Sequence, residues 1–298
     1  MYLHESAIHQ ALNAQHDPMP HIPLYRFGQL YTSLAVNTPC GLQGNDSPVE
    51  VSQANAGLIR RDLRNRIPSA FESLQHKTTS EMIAICREAG EKFLHGDLPI
   101  ADGVMQSPRE YQEAVAGGCG LPLGMVQGNM AKMHHVLSEM SSILQGLTRG
   151  LAWETLDSGI WEQNDLLLSF IPATTSLGVV LPSNSPGVNS LWLPAVALRI
   201  PVVLKPGRDD PWTPWRIMQA FLTAGCPPEA FAFYAADHEG SATVLEECGR
   251  AILFGDQATV DRYADQPAVS VHGPGYSKVL IGEDKIDDWP TYLDVLAD

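Results

Sequence analysis

Two segments decide the fold of this chain: GVVLPSNSP at residues 178–186 and VVLKP at residues 202–206. The first lies in a run of 33 residues, from Leu166 to Leu198, that carries no charged side chain. Four prolines interrupt this run, which makes it a poor membrane-spanning helix. We therefore predict that the run forms the buried centre of a parallel α/β sheet.

After residue 150 the hydrophobic pattern alternates between strands and helices. The predicted strands are 165–171, 176–182, 201–205, 231–235, 250–254, 267–271 and 278–281, and the predicted helices between them are 187–199, 211–224 and 239–248. This alternation predicts a mostly parallel Rossmann-like sheet with helices on both faces. No G-x-G-x-x-G follows the strand at 176–182, so a dinucleotide would have to be held in another way.

The first half of the chain has a different pattern. Apolar residues recur at helical spacing over about 57–96 and about 129–149, whereas residues 1–56 give no functional signal. We predict a mostly helical N-terminal region at 1–150, followed by an α/β domain of the nucleotide-binding type at 151–298.

Composition excludes several classes of function. The net charge of −15 and only 19 Lys and Arg residues argue against a nucleic-acid partner. No segment looks able to span a membrane, and the N-terminus lacks the basic and apolar parts of a secretory signal, so we expect a cytoplasmic protein. Five cysteines without a CxxC pair fit a reducing compartment. No metal site is predicted, because the adjacent His134 and His135 point about 100° apart on a helix.

The two segments that decide the fold, together with LPAVAL at 193–198 between them, resemble the aldehyde dehydrogenase superfamily. The cofactor domain of that superfamily carries G-V-V-x-P-x-N-x-P, P-A-x-A and V-V-x-K-P in the same order. The resemblance covers about residues 100–298. Within the superfamily the chain looks most similar to the acyl-CoA reductase branch, which includes the fatty acid reductases of bacterial bioluminescence, because of KPG at 205–207, DDP at 209–211 and HGPGYSK at 272–278.

The resemblance implies a catalytic role for Asn184, whose amide would hold the oxyanion formed when a thiolate attacks a carbonyl. It implies that Lys205 binds the adenosine ribose, and the end of a buried parallel strand is where ligands of such sheets bind. Asn184 could instead only close a turn between prolines, and Lys205 could be an ordinary surface lysine.

Four further residues are candidates for cofactor binding through the same resemblance: Pro182, Ser183, Gly207 and Arg208. Arg208 stands where hydrolytic dehydrogenases often place a glutamate on the ribose hydroxyls, and a cation there favours NADP over NAD. The alternative for Arg208 is a surface ion pair with Asp209 or Asp210.

Gly255 lies where the superfamily has a Gly-Ser turn against the pyrophosphate, and it is the last cofactor candidate. Asp256 is expected to cap a helix, which would repel a phosphate. The superfamily's deacylating glutamate should fall near 270–275, where Ser270, Val271 and His272 offer no carboxylate. His272 could act as a base, but a structural loop histidine is the expectation.

The resemblance therefore implies an oxidoreductase in which NADPH reduces an acyl-CoA thioester to an aldehyde through a cysteine acyl-enzyme, with coenzyme A as co-substrate. No cysteine follows the glutamate position, so we expect the catalytic cysteine domain to be absent from this chain and the chain alone to be inactive. The alternatives are a hydrolytic NAD(P)-dependent aldehyde dehydrogenase and a non-catalytic binding module. Relatives assemble as dimers or tetramers, so a homo-oligomer is expected.

Overall fold

The structure is a computed structural model that describes residues 20–39, 49–101, 103–275 and 278–293. Its strands are β1 (His21–Ile22), β2 (Leu24–Arg26), β3 (Leu30–Tyr31), β4 (Val36–Asn37), β5 (Glu50–Ser52), β6 (Leu98–Ala101), β7 (Val104–Gln106), β8 (Ile160–Gln163), β9 (Leu166–Ser169), β10 (Leu177–Val180), β11 (Val202–Lys205), β12 (Phe231–Phe233), β13 (Arg250–Phe254) and β14 (Val269–His272).

Its α-helices are α1 (Ala56–Gln75), α2 (Thr79–His95), α3 (Pro108–Cys119), α4 (Leu123–Ser138), α5 (Met140–Thr148), α6 (Trp153–Ser158), α7 (Leu193–Ala197), α8 (Trp212–Thr223), α9 (His238–Glu247) and α10 (Gln257–Tyr263). Short 3₁₀ helices span Pro186–Leu191, Pro228–Ala230 and Glu283–Tyr292. Within the described ranges, every helix falls short of the length or the apolar character that crossing a lipid bilayer requires.

The central sheet has seven strands in the order β14-β13-β10-β11-β12-β2-β3. The five strands from β14 to β12 are all parallel, and β2 and β3 extend the sheet in antiparallel fashion. Parallel neighbours end at one common edge, so the carboxyl ends of β10, β11 and β13 lie side by side. The predicted mostly parallel α/β sheet is confirmed.

Alternate residues of β11 enter two different cores, which is why helices cover both faces of the sheet. Val203 belongs to a core shared with α1 and α9. Val202 and Leu204 belong to the larger core, which also contains residues of α2, α4 and α8. Two-sided burial of this kind requires apolar residues on both faces, as Val202, Val203 and Leu204 provide.

One predicted strand forms outside the central sheet, and another does not form. The segment 165–171 does not enter the central sheet, because Asn164 and Asp165 adopt φ of 52° and 63° and turn the chain into an antiparallel hairpin of β8 and β9. The segment 278–281 forms no strand: Val279 and Leu280 are exposed and pair with no strand in the described part of the chain.

The N-terminal half contributes to the sheet as well as to the helical layer. β2 pairs with β12, and the Arg26 side chain of β2 donates two hydrogen bonds to the carboxylate of Asp62 in α1. The Tyr234 hydroxyl donates a third hydrogen bond to Asp62, at 3.0 Å. These contacts join the segment before residue 150 to the segment after it, and the division of the chain at residue 150 stays a prediction.

Candidate cofactor site

The turn after β10 lies directly beside the end of β11. Val180 pairs with Lys205, and the Leu181 N–H donates to the Lys205 carbonyl at 2.9 Å. Gly207 then passes so close to the turn that a Cβ there would lie 2.3 Å from the Pro182 carbonyl oxygen. Only glycine allows this approach, so the sequence KPG fixes the two predicted motifs against each other.

Ser183 strengthens the same junction. Its hydroxyl accepts a hydrogen bond from the Asp209 N–H at 3.1 Å. The turn at 182–183 and the loop at 206–209 therefore form one connected floor at the carboxyl edge of the sheet.

The side chain of Lys205 extends from this floor and is half-buried. Burial lowers the pKa of its ammonium group, and the nearby Asp237 carboxylate opposes that effect. Among the described residues, none forms an ion pair or a side-chain hydrogen bond with the ammonium. A cation held in this way is available to a ligand.

Arg208 is exposed next to Lys205, and the surface ion pair considered for it is not formed. Within the described ranges, no carboxylate lies within 4.0 Å of its guanidinium. Asp210 is turned inward instead, where it accepts a hydrogen bond from the Thr213 N–H at 3.0 Å in the first turn of α8. The guanidinium of Arg208 is therefore also available.

Gly255 lies after β13, the strand on the other side of β10. Its N–H donates to the His272 carbonyl at 3.1 Å. A Cβ at Gly255 would meet Thr259 of α10 at 2.5 Å, so glycine lets the helix lie close to the sheet edge. Asp256 caps α10 by accepting hydrogen bonds from the N–H and the hydroxyl of Thr259, as expected from the sequence.

These elements enclose a cleft of about 650 Å³ at the carboxyl edge, between α9 and α10. All six predicted cofactor residues line it. The lining consists of Val180, Leu181, Pro182, Ser183, Lys205, Gly207, Arg208, His238, Glu239, Ser241, Ala242, Leu245, Leu253, Phe254, Gly255, Thr259, Arg262 and Tyr263. Its size is that of an ordinary cofactor cleft.

The charge of this cleft is opposite to that of the whole chain. Three cations, Lys205, Arg208 and Arg262, face one carboxylate, Glu239, in a chain whose net charge is −15. A second cleft of about 330 Å³ adjoins the first and shares Lys205 and Arg208 with it. An anionic ligand is therefore favoured at this edge.

His238, Arg262 and Tyr263 are among the lining residues that the sequence did not indicate. His238 begins α9, which Asp237 caps by accepting from the Gly240 N–H at 2.9 Å. Arg262 and Tyr263 lie in the last turn of α10. The helix expected after Asp256 forms one wall of the cleft, and a prediction of its length would have pointed to the last two.

Asn184 lies just outside this group. It follows Ser183 in the same turn, is exposed, and does not line either cleft. It lies at the same sheet edge as Lys205, since the turn begins beside the end of β11. Its catalytic role stays a prediction.

His272 is the last residue of β14 rather than a loop residue. Its ring stacks on Phe254 with centroids 4.9 Å apart, and its Nε2 lies 3.3 Å from the Ser270 hydroxyl. These contacts fit the expected structural role.

The cysteines in the described ranges are unsuited to nucleophilic attack. Cys86, Cys226 and Cys248 are buried, and burial raises the pKa of Cys86 and of Cys248 to about 12. Burial also raises the pKa of Cys119, whose thiol lies 3.7 Å from the Asp209 carbonyl. A thiol that stays protonated is a weak nucleophile. Cys40 lies outside the described residues.

The described residues contain no group of three His, Cys, Asp or Glu side chains placed to hold a metal ion. What they offer at the sheet edge is a set of cations and a glycine-lined floor. That donor set fits the phosphates and ribose of a dinucleotide.

No protein-family model matches the chain, and no curated protein sequence matches it. Solved structures do. An NADP-dependent glyceraldehyde-3-phosphate dehydrogenase from Bacillus halodurans C-125 is similar over 86% of this chain and 53% of its own, with a TM-score of 0.67 and 11% identity. An NAD-dependent aldehyde dehydrogenase from Sinorhizobium meliloti is similar over 88% and 52%, with a TM-score of 0.66 and 15% identity.

An NAD-dependent benzaldehyde dehydrogenase from Corynebacterium glutamicum gives a TM-score of 0.62 at 16% identity, over 84% of this chain and 54% of that one. The chain thus spans about half the length of these dehydrogenases. At these identities the likeness concerns the fold, and the fold of the chain is that of the corresponding part of aldehyde dehydrogenases.

Proposed function

We propose that the chain is the cofactor-binding part of an NAD(P)-dependent oxidoreductase of the aldehyde dehydrogenase type. The observation that carries this proposal is the cationic cleft at the carboxyl edge of the parallel sheet, which all six predicted cofactor residues line. A bound nicotinamide nucleotide would supply hydride transfer. The residues of the chain supply binding and orientation.

Lys205 is proposed to bind the ribose and phosphates of the adenosine half. Its ammonium is half-buried on a rigid strand end, so little side-chain entropy is lost when it binds a ligand. The floor at Pro182 and Gly207 lets the ligand approach the backbone closely.

The finer proposal is a preference for NADP. Arg208 and Arg262 both line the cleft, and no carboxylate of the described residues pairs with either within 4.0 Å. A guanidinium binds a phosphate through two parallel hydrogen bonds, which a ribose hydroxyl does not offer. NAD remains the alternative cofactor.

Reduction of an acyl-CoA thioester is the proposed reaction of the complete protein, with coenzyme A as co-substrate. Its support is the chemistry of β14, where Ser270, Val271 and His272 occupy the expected position of the deacylating glutamate. Without a base there, hydrolysis lacks a driver, whereas transfer to or from a thiol needs no water. The nucleophile would come from outside the described residues.

The test is a titration of the full chain with NADPH and with NADH, followed by nucleotide fluorescence. Lys205→Met should weaken both nucleotides by about tenfold or more, because it removes a charge-assisted contact. Arg208→Gln should weaken NADPH by about tenfold and leave NADH unchanged.

The matched control is Arg87→Gln, an exposed arginine in the middle of α2 that lines neither cleft. It should bind both nucleotides as the unsubstituted chain does. Absence of binding by the unsubstituted chain would refute the proposal and favour the non-catalytic module. In a longer protein, release of free acid rather than acyl-CoA would favour the hydrolytic alternative.

We also propose a homo-oligomer in which the hairpin β8–β9 contacts a second copy. Leu166, Leu167 and Ile171 are exposed on or next to this hairpin by 65%, 72% and 82%. Contiguous exposed apolar side chains of this kind mark interaction surfaces. The proposed compartment is the cytoplasm, which the four free thiols of the described residues support.

A further inference from the structure

The N-terminal segment helps to form the cleft of about 330 Å³ that adjoins the cofactor cleft, called the small cleft below. Asn37, Val51 and Gln53 line it, and they lie in or directly after strands β4 and β5. No sequence pattern assigns a function to this segment. The fold nevertheless brings it to the carboxyl edge of the central sheet, next to Lys205 and Arg208.

Hydrogen bonds hold Gln53 in this place. Its N–H donates to the Ala35 carbonyl at 2.8 Å, and its side-chain amide donates to the Val51 carbonyl at 3.1 Å. The next residue, Ala54, donates its N–H to the Ala235 carbonyl at 2.8 Å, which joins the segment to the chain after β12. The half-buried amide of Gln53 is therefore oriented by its own strand, and among the described residues its second N–H has no partner.

The charges that line the small cleft favour one anionic group. Lys205 and Arg208 line both clefts, together with Gly207 and His238. Asp237 lines the small cleft and not the cofactor cleft, and it is the one carboxylate among the described residues that line it. Two cations thus face one carboxylate, so a further negative charge is favoured there.

A dinucleotide bound as proposed above would reach the small cleft through its adenosine ribose. Its base and its pyrophosphate need the cofactor cleft between α9 and α10, which extends to Gly255. Lys205 and Arg208, which are proposed to bind near the ribose, line both clefts and so lie where the clefts join. A group on the ribose then extends into the small cleft, whose volume holds a phosphate and several water molecules of about 30 Å³ each.

We infer that the small cleft binds the 2′-phosphate of NADP, and that Gln53 and Asp237 shift the preference between NADP and NAD in opposite directions. The Gln53 amide donates a hydrogen bond to a phosphate oxygen, whereas the Asp237 carboxylate repels the phosphate. The ribose of NAD is uncharged at this position, so the charge of Asp237 affects it far less. The inference rests on the proposed function, because it concerns the same ligand.

The experiment is titration of the full chain with NADPH and with NADH in two charge variants, followed by nucleotide fluorescence. Asp237→Asn keeps the cap of α9, since asparagine caps a helix as well as aspartate does. It should tighten NADPH binding by about threefold or more and leave NADH within about twofold. Gln53→Glu keeps the shape of the side chain and adds a carboxylate, so it should weaken NADPH by about fivefold or more and leave NADH within about twofold.

Two matched controls make the same charge changes elsewhere. Asp265→Asn and Gln145→Glu are at exposed positions that line neither cleft. Both should leave the ratio of the NADPH and NADH dissociation constants unchanged. An equal change of this ratio in the controls would overturn the inference, because the net charge of the chain would then set the ratio.

The remaining outcomes separate the inference from the proposed function. Weaker NADH binding in Asp237→Asn would overturn the inference, since Asp237 would then bind the ribose hydroxyls. An unchanged ratio in either folded variant would also overturn it, while the proposed function would stand as long as the unsubstituted chain binds the nucleotides. Absence of binding of both nucleotides would overturn the proposed function and the inference with it. Circular dichroism checks folding, and Asp237→Asn decides alone if Gln53→Glu does not fold.

Discussion

Two strands of the uncharged segment 166–198 differ in their burial. β9 (Leu166–Ser169) has every residue exposed, whereas in β10 (Leu177–Val180) three of the four residues are buried. β10 has hydrogen-bonded neighbours on both sides, β11 and β13, while β9 pairs with β8 alone among the described residues. Absence of charge therefore shows that a segment can be buried. Whether it is buried within its own chain depends on the strands that pair with it.

The largest expected difference concerns stability. Val179→Asp places a carboxylate at a fully buried position of β10, which should cost about 4 kcal/mol or more of the free energy of unfolding and prevent folding of a marginal domain. Leu167→Asp in β9 should change it by no more than about 0.5 kcal/mol, because that side chain is exposed. Urea denaturation followed by circular dichroism measures both.

If Leu167→Asp were as destabilising as Val179→Asp, the hairpin would have to be buried in the native protein, and the comparison between β9 and β10 would fail. If Val179→Asp folded normally, the central sheet would be wrong.

A buried carboxylate beside the sheet gives a pH-dependent test. Burial raises the pKa of Asp210 to about 6, against a usual value near 4. The folded chain therefore holds this proton at pH values where the unfolded chain has lost it, so the contribution of Asp210 to stability falls as the pH rises from about 4 to about 6. The loss is on the order of 3 kcal/mol.

Asp210→Asn removes this dependence, and its amide oxygen can still accept from the Thr213 N–H. The variant should therefore gain stability relative to the unsubstituted chain as the pH rises from 4 to 7, in urea denaturation at several pH values. The exposed Asp265→Asn is the matched control and should run parallel to the unsubstituted chain. Parallel curves for Asp210→Asn would contradict the prediction.

Local sequence signals sufficed for much of the fold and of the cofactor cleft. Strands such as β10 and β11 are flanked by Pro and Gly and are buried on both faces. Their own composition is therefore enough to predict them. The cleft follows from them, because the turn at Pro182 and the end of β11 at Lys205 must meet at one sheet edge. Gly207 was identified through its motif, and the structure adds the steric reason for it.

Other features depended on contacts that the sequence does not display. Asn164 and Asp165 are residue types that tolerate a positive φ, so they indicate a turn. The strand predicted at 165–171 followed instead from the apolar residues after them. Pairing of β2 with β12 joins residues about 200 positions apart, which no local pattern reveals. Arg262 enters the cleft only because α10 packs against the edge near Gly255.

The smallest expected effect concerns self-association through the hairpin. Replacing Leu166 and Leu167 together by serine removes apolar surface that a second copy would bury, so the dissociation constant of the proposed oligomer should rise by about tenfold or more. Sedimentation equilibrium measures that constant.

Leu34→Ser, at a fully exposed leucine outside the hairpin, is the control and should leave the dissociation constant unchanged. The fold should not suffer in either variant, because these side chains contribute little to the core. An unchanged dissociation constant in the double variant would mean that no second copy covers the hairpin. β9 would then stay exposed in the native protein, whereas β10 is buried by its own chain.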